Sequence, residues 1–469
     1  MKLTSCGAAE EVTGSCHLLE VAGKKVLLDC GLIQGRPKDE ARNRDPFPFN
    51  PADIDAVVLS HSHIDHSGRL PVLIRDGFNG PIYTHPASRD LCRTLLLDSA
   101  YLNLRDTEYK NKRRARSGKP PLEPLYSIED VEKTLNLFRA VDYQTPQKIS
   151  DDISFTLYDA GHILGSAMVE MKLQENGEHR TFVFSGDLGH RGAPILRDFH
   201  YLKKADIVML ESTYGNRLHR DWSATFDEVS EVVDAVKHSK GNVLIPAFAV
   251  GRSQMIMYML ARHQQSWGID HWQIFLDSPM AIKATKVYLD HADLYDETAT
   301  EFWREHGPDL SMDNLTFTST SEESMKINRI KSGAIIIAGS GMCNGGRIKH
   351  HLKHNLWRKE SHVIIPGYQA YGTLGRKLVD GAKSVRMWKE KIRVAATIHT
   401  VGGLSAHADQ QGIMDWYANF ENRPPALMVH GEVDVMKALR KRIRKELGGS
   451  AHVARAGRSI DLIDLDRLR

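Results

Sequence analysis

The sequence predicts an α/β fold in two domains, and three observations carry that prediction. Before about residue 215, short β-branched runs alternate with glycine-marked turns. Beyond it, four near-continuous apolar runs are each followed by a helical pattern, as in a parallel sheet covered by helices. A chain of 469 residues is also too long for one ordinary core.

The elements follow in order. "CHLLEVAGKKVLLDCG" alternates into a hairpin that turns at Gly23. "IDAVVLS" reads as a short strand ending at Ser60, "GRLPVLIRDG" as a helix stopped by Gly77, and "GPIYTH" as a strand. "ASRDLCRTLLLDSAYLNL" is a helix. "KNKRRARSGKPP", residues 110–121, reads as a solvated loop, with a polyanion contact as the alternative. Strands resume at "ISFTLYDAGH", "RTFVFSGDLG" and "ADIVMLESTYG". Then come the four strand–helix units: "GNVLIPAFAVG", "WQIFLDSPM", "GAIIIAGSGMCNGG" and "SHVIIPGYQAYG", each before its helix. "ALMVHGE" and "DVMKALRKRIRKEL" close the chain as a strand and an amphipathic helix, whose basic residues read as a solvated face.

Hydrophobic residues at 41% and charged residues at 26% describe a soluble globular protein with ample core-forming material. A net charge of +3 argues neither for nor against a nucleic-acid partner, so any electrostatic footprint has to be local. The five cysteines, Cys6, Cys16, Cys30, Cys92 and Cys343, contain no C-x-x-C pair. That disfavours a disulfide framework or zinc knuckle and favours a reducing compartment. No signal-peptide pattern and no apolar run of about 18 residues occurs, so the expected location is the cytoplasm, with no membrane partner.

Chemistry concentrates in "LSHSHIDHSGRL", where His61, His63, Asp65 and His66 crowd together after an apolar strand. Side chains two apart on a strand share a side, so His61 and His63 can converge while Asp65 and His66 face a second point. Imidazole and carboxylate suit zinc better than magnesium or calcium. Asp29, His162, Asp187 and His430 repeat one arrangement, an apolar strand delivering a single His or Asp beside glycine. His17, His85, His219 and His271 read as ordinary histidines.

These motifs together resemble the metallo-β-lactamase superfamily, and the remaining ones its β-CASP nucleases, over essentially the whole chain. Glu211 in "LESTYG" resembles motif A, His407 in "LSAHAD" motif B and His430 in "VHGE" motif C; "DSPMA", "GSGMCNGGR" and "GTLGR" also match. The nearest group is the prokaryotic homologues of the endonuclease subunit of the cleavage and polyadenylation specificity factor. The resemblance implies an αββα sandwich in two parts, residues 1–212 and 394–469, interrupted by a parallel-sheet β-CASP domain at 213–393. It further implies two zinc ions, one held by His61, His63 and His162, the other by Asp65, His66 and His430. Asp187 would bridge them and Asp29 would orient the loop from outside. Hydroxide shared by the ions would attack a scissile phosphate, with Asp65, Asp187 and Glu211 supporting catalysis. His407, oriented by Glu211, would protonate the leaving oxygen.

The implied substrate is RNA, since a motif C histidine accompanies RNA rather than DNA substrates in this group, and a narrow cleft between the expected domains would suit single-stranded RNA better than duplex. Ser340, Gly341, Gly345, Gly346 and Arg347 would receive phosphates, as would Gly372 and Arg376, with Tyr368 stacking on bases. Neither the KH-type segment of archaeal relatives nor the extra C-terminal domain of the ribonuclease J branch is recognisable. The resemblance allows a homodimer and either endonuclease or 5′–3′ exonuclease action. Two other classes remain open at this point: a small-molecule hydrolase (thioesterase or lactonase) of the same fold, and a catalytically silent RNA-binding subunit.

Overall fold

The computed structural model describes residues 1–307 and 312–468 and divides into two compact units. The first comprises the chain up to Arg191, Asp198–Leu218, and the chain from His407 onward; the second comprises Gly192–Arg197 and His219–Ala406.

Two seven-stranded sheets build the first unit. One starts as an antiparallel meander, Lys2–Gly7, Cys16–Val21 and Lys24–Leu28, and continues in parallel through Ala56–Val58, Ile82–Thr84 and Phe138–Ala140. The other runs antiparallel through Ile153–Asp159, Ala167–Glu175 and Glu178–Phe184, then parallel through Ile207–Glu211, Ala426–Val429 and Ala451–Val453. Strand periodicity sends alternate side chains to opposite faces. Val26, Leu28 and Val58 therefore pack against Phe155, Val169, Phe182 and Met209 of the facing sheet, while Leu27 and Val57 turn outward.

That outward face is covered by helices Leu70–Arg75, Pro86–Ala115 and Ile128–Leu137, through residues such as Leu73, Leu96 and Val131. Helices Gln410–Ala418 and Val433–Leu447 cover the outer face of the second sheet with Trp416, Met436 and Leu439. The four layers are thus helix, sheet, sheet and helix, as expected. The basic stretch from Lys110, expected as a loop, instead continues helix Pro86–Ala115. Lysine and arginine are good helix formers, and cations suit a helix C-terminus; the helix ends just short of Gly118, at φ 64°, and Pro120.

The second unit is a six-stranded parallel sheet, in the order Leu315–Phe317, Gln273–Leu276, Ala334–Ala338, Val243–Pro246, His362–Ile365 and Thr397–Thr400. Its central strands are buried on both faces: Val243, Ile245, Ile335 and Ile337 on one, Leu244, Ile336 and Val363 on the other. The expected parallel α/β sheet is therefore present, with a short hairpin, Ser384–Met387 and Glu390–Arg393, beside it. Among the described residues no helix is long and apolar enough to cross a membrane.

Candidate metal centre

Both sheets of the first unit deliver ligand candidates at their strand ends. Asp29 follows Lys24–Leu28, and the histidine cluster follows Ala56–Val58. From the facing sheet come His162 after Ile153–Asp159, Asp187 after Glu178–Phe184, Glu211 at its strand's last position, and His430 after Ala426–Val429. The strand before the cluster stops at Val58, earlier than the expected Ser60. The Ser60 amide has turned to donate to Asp29 Oδ1 at 2.8 Å. His61 and His63 consequently leave from a loop, and Asp65 and His66 from the one-turn helix Ile64–Ser67.

Backbone contacts clamp this turn. The Ser15, Cys30 and Leu32 amides donate to the carbonyls of Asp65, His66 and Ile64 at 2.8, 2.7 and 2.9 Å. Gly31 lies so close that a Cβ there would sit 1.6 Å from the Asp65 carbonyl oxygen. Asp29 (φ 60°) and His430 (φ 52°) both occupy the left-handed region that costs most residues energy.

The side chains converge on two points. Nδ1 of His63 lies 3.1 Å from Nε2 of His61 and 3.2 Å from Nε2 of His162. Asp187 Oδ2 is 3.6 Å from His61 Nε2 and 3.7 Å from His162 Nε2. Alongside, His66 Nε2 lies 3.2 Å from His430 Nε2, which is 3.5 Å from Asp65 Oδ2. Asp187 reaches this second set too, 3.4 Å from His66 Nε2. The other ring nitrogens are held from behind: His66 Nδ1 donates to Asp29 Oδ2 at 2.7 Å, His61 Nδ1 meets Ser60 Oγ at 3.1 Å, and His430 Nδ1 meets Thr213 Oγ1 at 2.9 Å.

The donor set fits metal ions. Asp187 Oδ1 is buried without a hydrogen-bond partner, an expensive state for a carboxylate unless a cation meets it. Imidazole nitrogens face one another at distances close to the edges of a tetrahedral coordination shell. Burial holds the imidazoles of His61 and His63 below their ordinary value, His63 down to about 4, which keeps them in the neutral form that binds metals. Burial opposes ionisation of Asp187, yet the imidazoles of His430 and His66 hold its carboxyl well below the usual range.

His407 stands beside both sets. Its Nδ1 lies 3.4 Å from Glu211 Oε1 and 3.8 Å from Asp187 Oδ2. Glu211 is fixed by the amides of Leu188 and Thr213, at 2.9 and 3.1 Å. Burial disfavours a charged His407, but Glu211 and Asp187 raise its affinity for a proton above the ordinary value.

Residues 9–234 match the metallo-beta-lactamase superfamily, 253–378 the Beta-Casp domain, and 391–454 the Zn-dependent metallo-hydrolase RNA specificity domain. The chain is 37% identical over 460 residues to Ribonuclease TTHA0252 of Thermus thermophilus, covering 98% of this chain and 100% of that protein. The chain belongs to the β-CASP family of the metallo-β-lactamase superfamily. This β-CASP chain is also 31% identical to Transcription termination factor FttA of Methanosarcina mazei, over 95% of this chain and 70% of that protein. The FttA of Pyrococcus abyssi is again 31% identical, over 99% of this chain and 71% of that protein. A crystal structure of a protein of unknown function from Enterococcus faecalis V583 shares the fold, with a TM-score of 0.55 at 14% identity over 98% of this chain and 99% of that one. None of these names points to a thioesterase or lactonase.

In the β-CASP unit, the two glycine-rich segments expected to meet substrate lie against each other. Gln369 Nε2 donates to the Gly341 carbonyl at 3.0 Å, and the Leu374 amide donates to Asn344 Oδ1 at 2.9 Å. Ser340, Gly341, Gly345 and Gly346 are thus brought together with Tyr368, Gly372 and Arg376. Arg347 turns elsewhere, donating to Asp277 Oδ1 at 2.7 Å and to the Thr318 and Ser319 carbonyls at 2.9 and 2.7 Å. Arg376 Nε donates to both Asp380 oxygens, at 2.8 and 2.9 Å.

His17, His85, His219 and His271 stand outside every such donor group among the described residues. Sequence reasoning missed Ser15, Ser60 and Thr213, whose hydroxyls hold Asp29, His61 and His430. It also passed over Phe248, an aromatic ring 48% exposed that lies against Gly341.

Proposed function

We propose that this chain is a zinc-dependent ribonuclease that hydrolyses phosphodiester bonds of single-stranded RNA. The observation that carries the reading is the group His61, His63, His162 and Asp187 next to the group Asp65, His66 and His430, with Asp187 within reach of the second as well and His407 and Glu211 beside them. In this reading His61, His63 and His162 hold one zinc ion; Asp65, His66 and His430 hold the second; and Asp187 serves both. Zinc bound there supplies Lewis acidity toward phosphoryl oxygen and lowers the pKa of water toward neutrality.

The chain's own residues do the rest. Asp29 fixes the His66 ring so that Nε2 carries the lone pair, and Thr213 does the same for His430. His407, held at Nδ1 by Glu211, keeps a proton for the departing ribose oxygen, so the products carry a 3′-hydroxyl and a 5′-phosphate. Ser340, Gly341, Gly345, Gly346 and Gly372 offer backbone amides to RNA phosphates. Tyr368 stacks on a base. Arg376 reaches phosphate with the guanidinium nitrogens its Asp380 pair leaves over, and Arg347 with the N–H groups that Asp277, Thr318 and Ser319 leave over.

The names of the relatives, a ribonuclease and a transcription termination factor, support RNA as the polymer. Five free cysteines suit a reducing compartment, and the cytoplasm completes the reading. A homodimer, supported by family resemblance alone, is checked by sedimentation.

The test is metal analysis of the purified protein together with cleavage of single-stranded RNA labelled at either end and of matched DNA. About two zinc ions per chain, with RNA cut and DNA spared, is the expected result, and the fragment ladder separates internal cuts from 5′-end trimming. Two zinc ions with neither polymer cut would overturn it.

A further inference from the structure

Helix Val433–Leu447 shows what its sequence arranges. Met436, Leu439 and Ile443 are buried against the second sheet, and Val435 is buried too. Lys437, Arg440, Lys441, Arg444 and Lys445 recur at alternating spacings of three and one, which places all five on one other face. These five side chains, and no others among the described residues, line a shallow surface depression. A second depression shares Lys437 and Arg440 and adds Arg455 and Arg458 from the segment after strand Ala451–Val453; one acid, Glu10, also lines it.

Such a face is costly without a counter-charge. Lys437 and Lys441, Arg440 and Arg444, and Lys441 and Lys445 are like-charged neighbours one helical turn apart, an arrangement that destabilises helices. The helix's two acids do not cure it: Asp434 pairs with Lys437 at 3.3 Å, and Glu446 pairs with Arg442 on another face at 2.8 Å. Arg440, Lys441 and Lys445 have no ion pair among the described residues. With a net charge of only +3 on the whole chain, this is a local concentration rather than a generally basic surface.

We propose that this face is a track for the phosphates of RNA lying outside the metal centre, so that long substrates are held at a second place. This rests on the ribonuclease reading above. An anionic membrane is the less suitable polyanion, because surface helices that bind membranes insert an apolar face; here that face is spent on the core. Unevenly spaced surface cations facing open solvent suit a flexible, evenly charged strand, which adjusts its phosphates to them.

The test replaces all five residues by glutamine, which keeps helix propensity, and compares a second variant in which Arg440 and Arg444 become lysine. Cleavage and binding of a long single-stranded RNA and of a short oligomer are measured across salt concentrations. For the glutamine variant, affinity for the long RNA is expected to fall more than about tenfold, and the log-affinity against log-salt slope to flatten by up to about 3.5, for five contacts on a single strand. The short oligomer should be cut with unchanged kcat/KM, and the lysine variant should behave as the parent. An unchanged salt slope overturns the proposal, as does equal loss on short and long RNA, or loss of anionic-vesicle binding with RNA binding intact. RNA cut normally with the slope unchanged sinks the track and leaves the ribonuclease standing. A parent that binds long RNA through the five residues yet cuts none with any metal does the reverse.

Discussion

Asp29 and His66 lie 37 positions apart in sequence, and their Oδ2 and Nδ1 atoms meet at 2.7 Å with neither side chain exposed to solvent. Asp29 also accepts from Ser15 Oγ at 2.9 Å and from the Ser60 amide and hydroxyl at 2.8 and 3.0 Å. Its oxygens are therefore spent on shaping the ligand loop. Asp29→Asn should lower metal affinity about 10- to 100-fold at the His66 group while sparing the group around His63. Titration against a competing chelator resolves the two sites. Equal weakening of both would show that Asp29 supports the fold generally.

His407→Ala should reduce turnover of RNA by about 10²- to 10⁴-fold, the range for a lost general acid. Metal content, measured by atomic emission, should not change, because the two donor groups remain complete without it. Loss of metal alongside activity would move His407 from proton transfer into the ligand set.

Gly31→Ala forces a methyl group into the Asp65 carbonyl, 1.6 Å away, where only backbone can yield. The expected cost is about 3 kcal/mol or more, read as a lowered thermal midpoint, with metal lost as the loop moves. A melting temperature equal to the parent's would mean that the turn adapts freely.

Asp277, in the β-CASP unit, gives a pH prediction of its own. Burial opposes its charge, but hydrogen bonds from His351, Ser324 and Thr318, at 2.6, 2.6 and 2.5 Å, hold its carboxyl down to about 2. A folded pKa below the unfolded value adds stability above the unfolded pKa, and that stability is lost as pH falls through the folded one. Asp277→Asn should therefore cost about 2 kcal/mol near neutrality, with the gap to the parent closing between about pH 4 and pH 2. Denaturant melts across that range measure it; a gap independent of pH would assign the loss to shape rather than charge.

Much of this was legible in the residues, for identifiable reasons. A cluster as dense as His61, His63, Asp65 and His66 has few structural uses, and strands buried on both faces betray themselves by unbroken apolar runs. Strand Ala167–Glu175 escaped a separate reading although its latter half alternates, because methionine, glutamate and lysine are weak strand markers. The flanking strands Leu315–Phe317 and Thr397–Thr400 carry exposed or half-buried positions throughout and so lack an apolar signature. Ser15, Ser60 and Thr213 left no local trace, since a hydroxyl acquires its role only from what folding brings beside it. The same holds for Arg347, whose partner Asp277 is 70 positions away.

The chain order of the donors has a consequence for biosynthesis. In the proposed scheme His407 and His430 arrive only with the closing segment of the first unit, after the whole β-CASP stretch has been made. A ribosome-bound chain that has exposed His61, His63, His162 and Asp187 therefore holds one donor group and lacks the partner of the other. In that scheme nuclease competence waits for the segment that carries His407 and His430. In the same scheme a product terminated before His407 would be inert rather than an unregulated cutter of RNA.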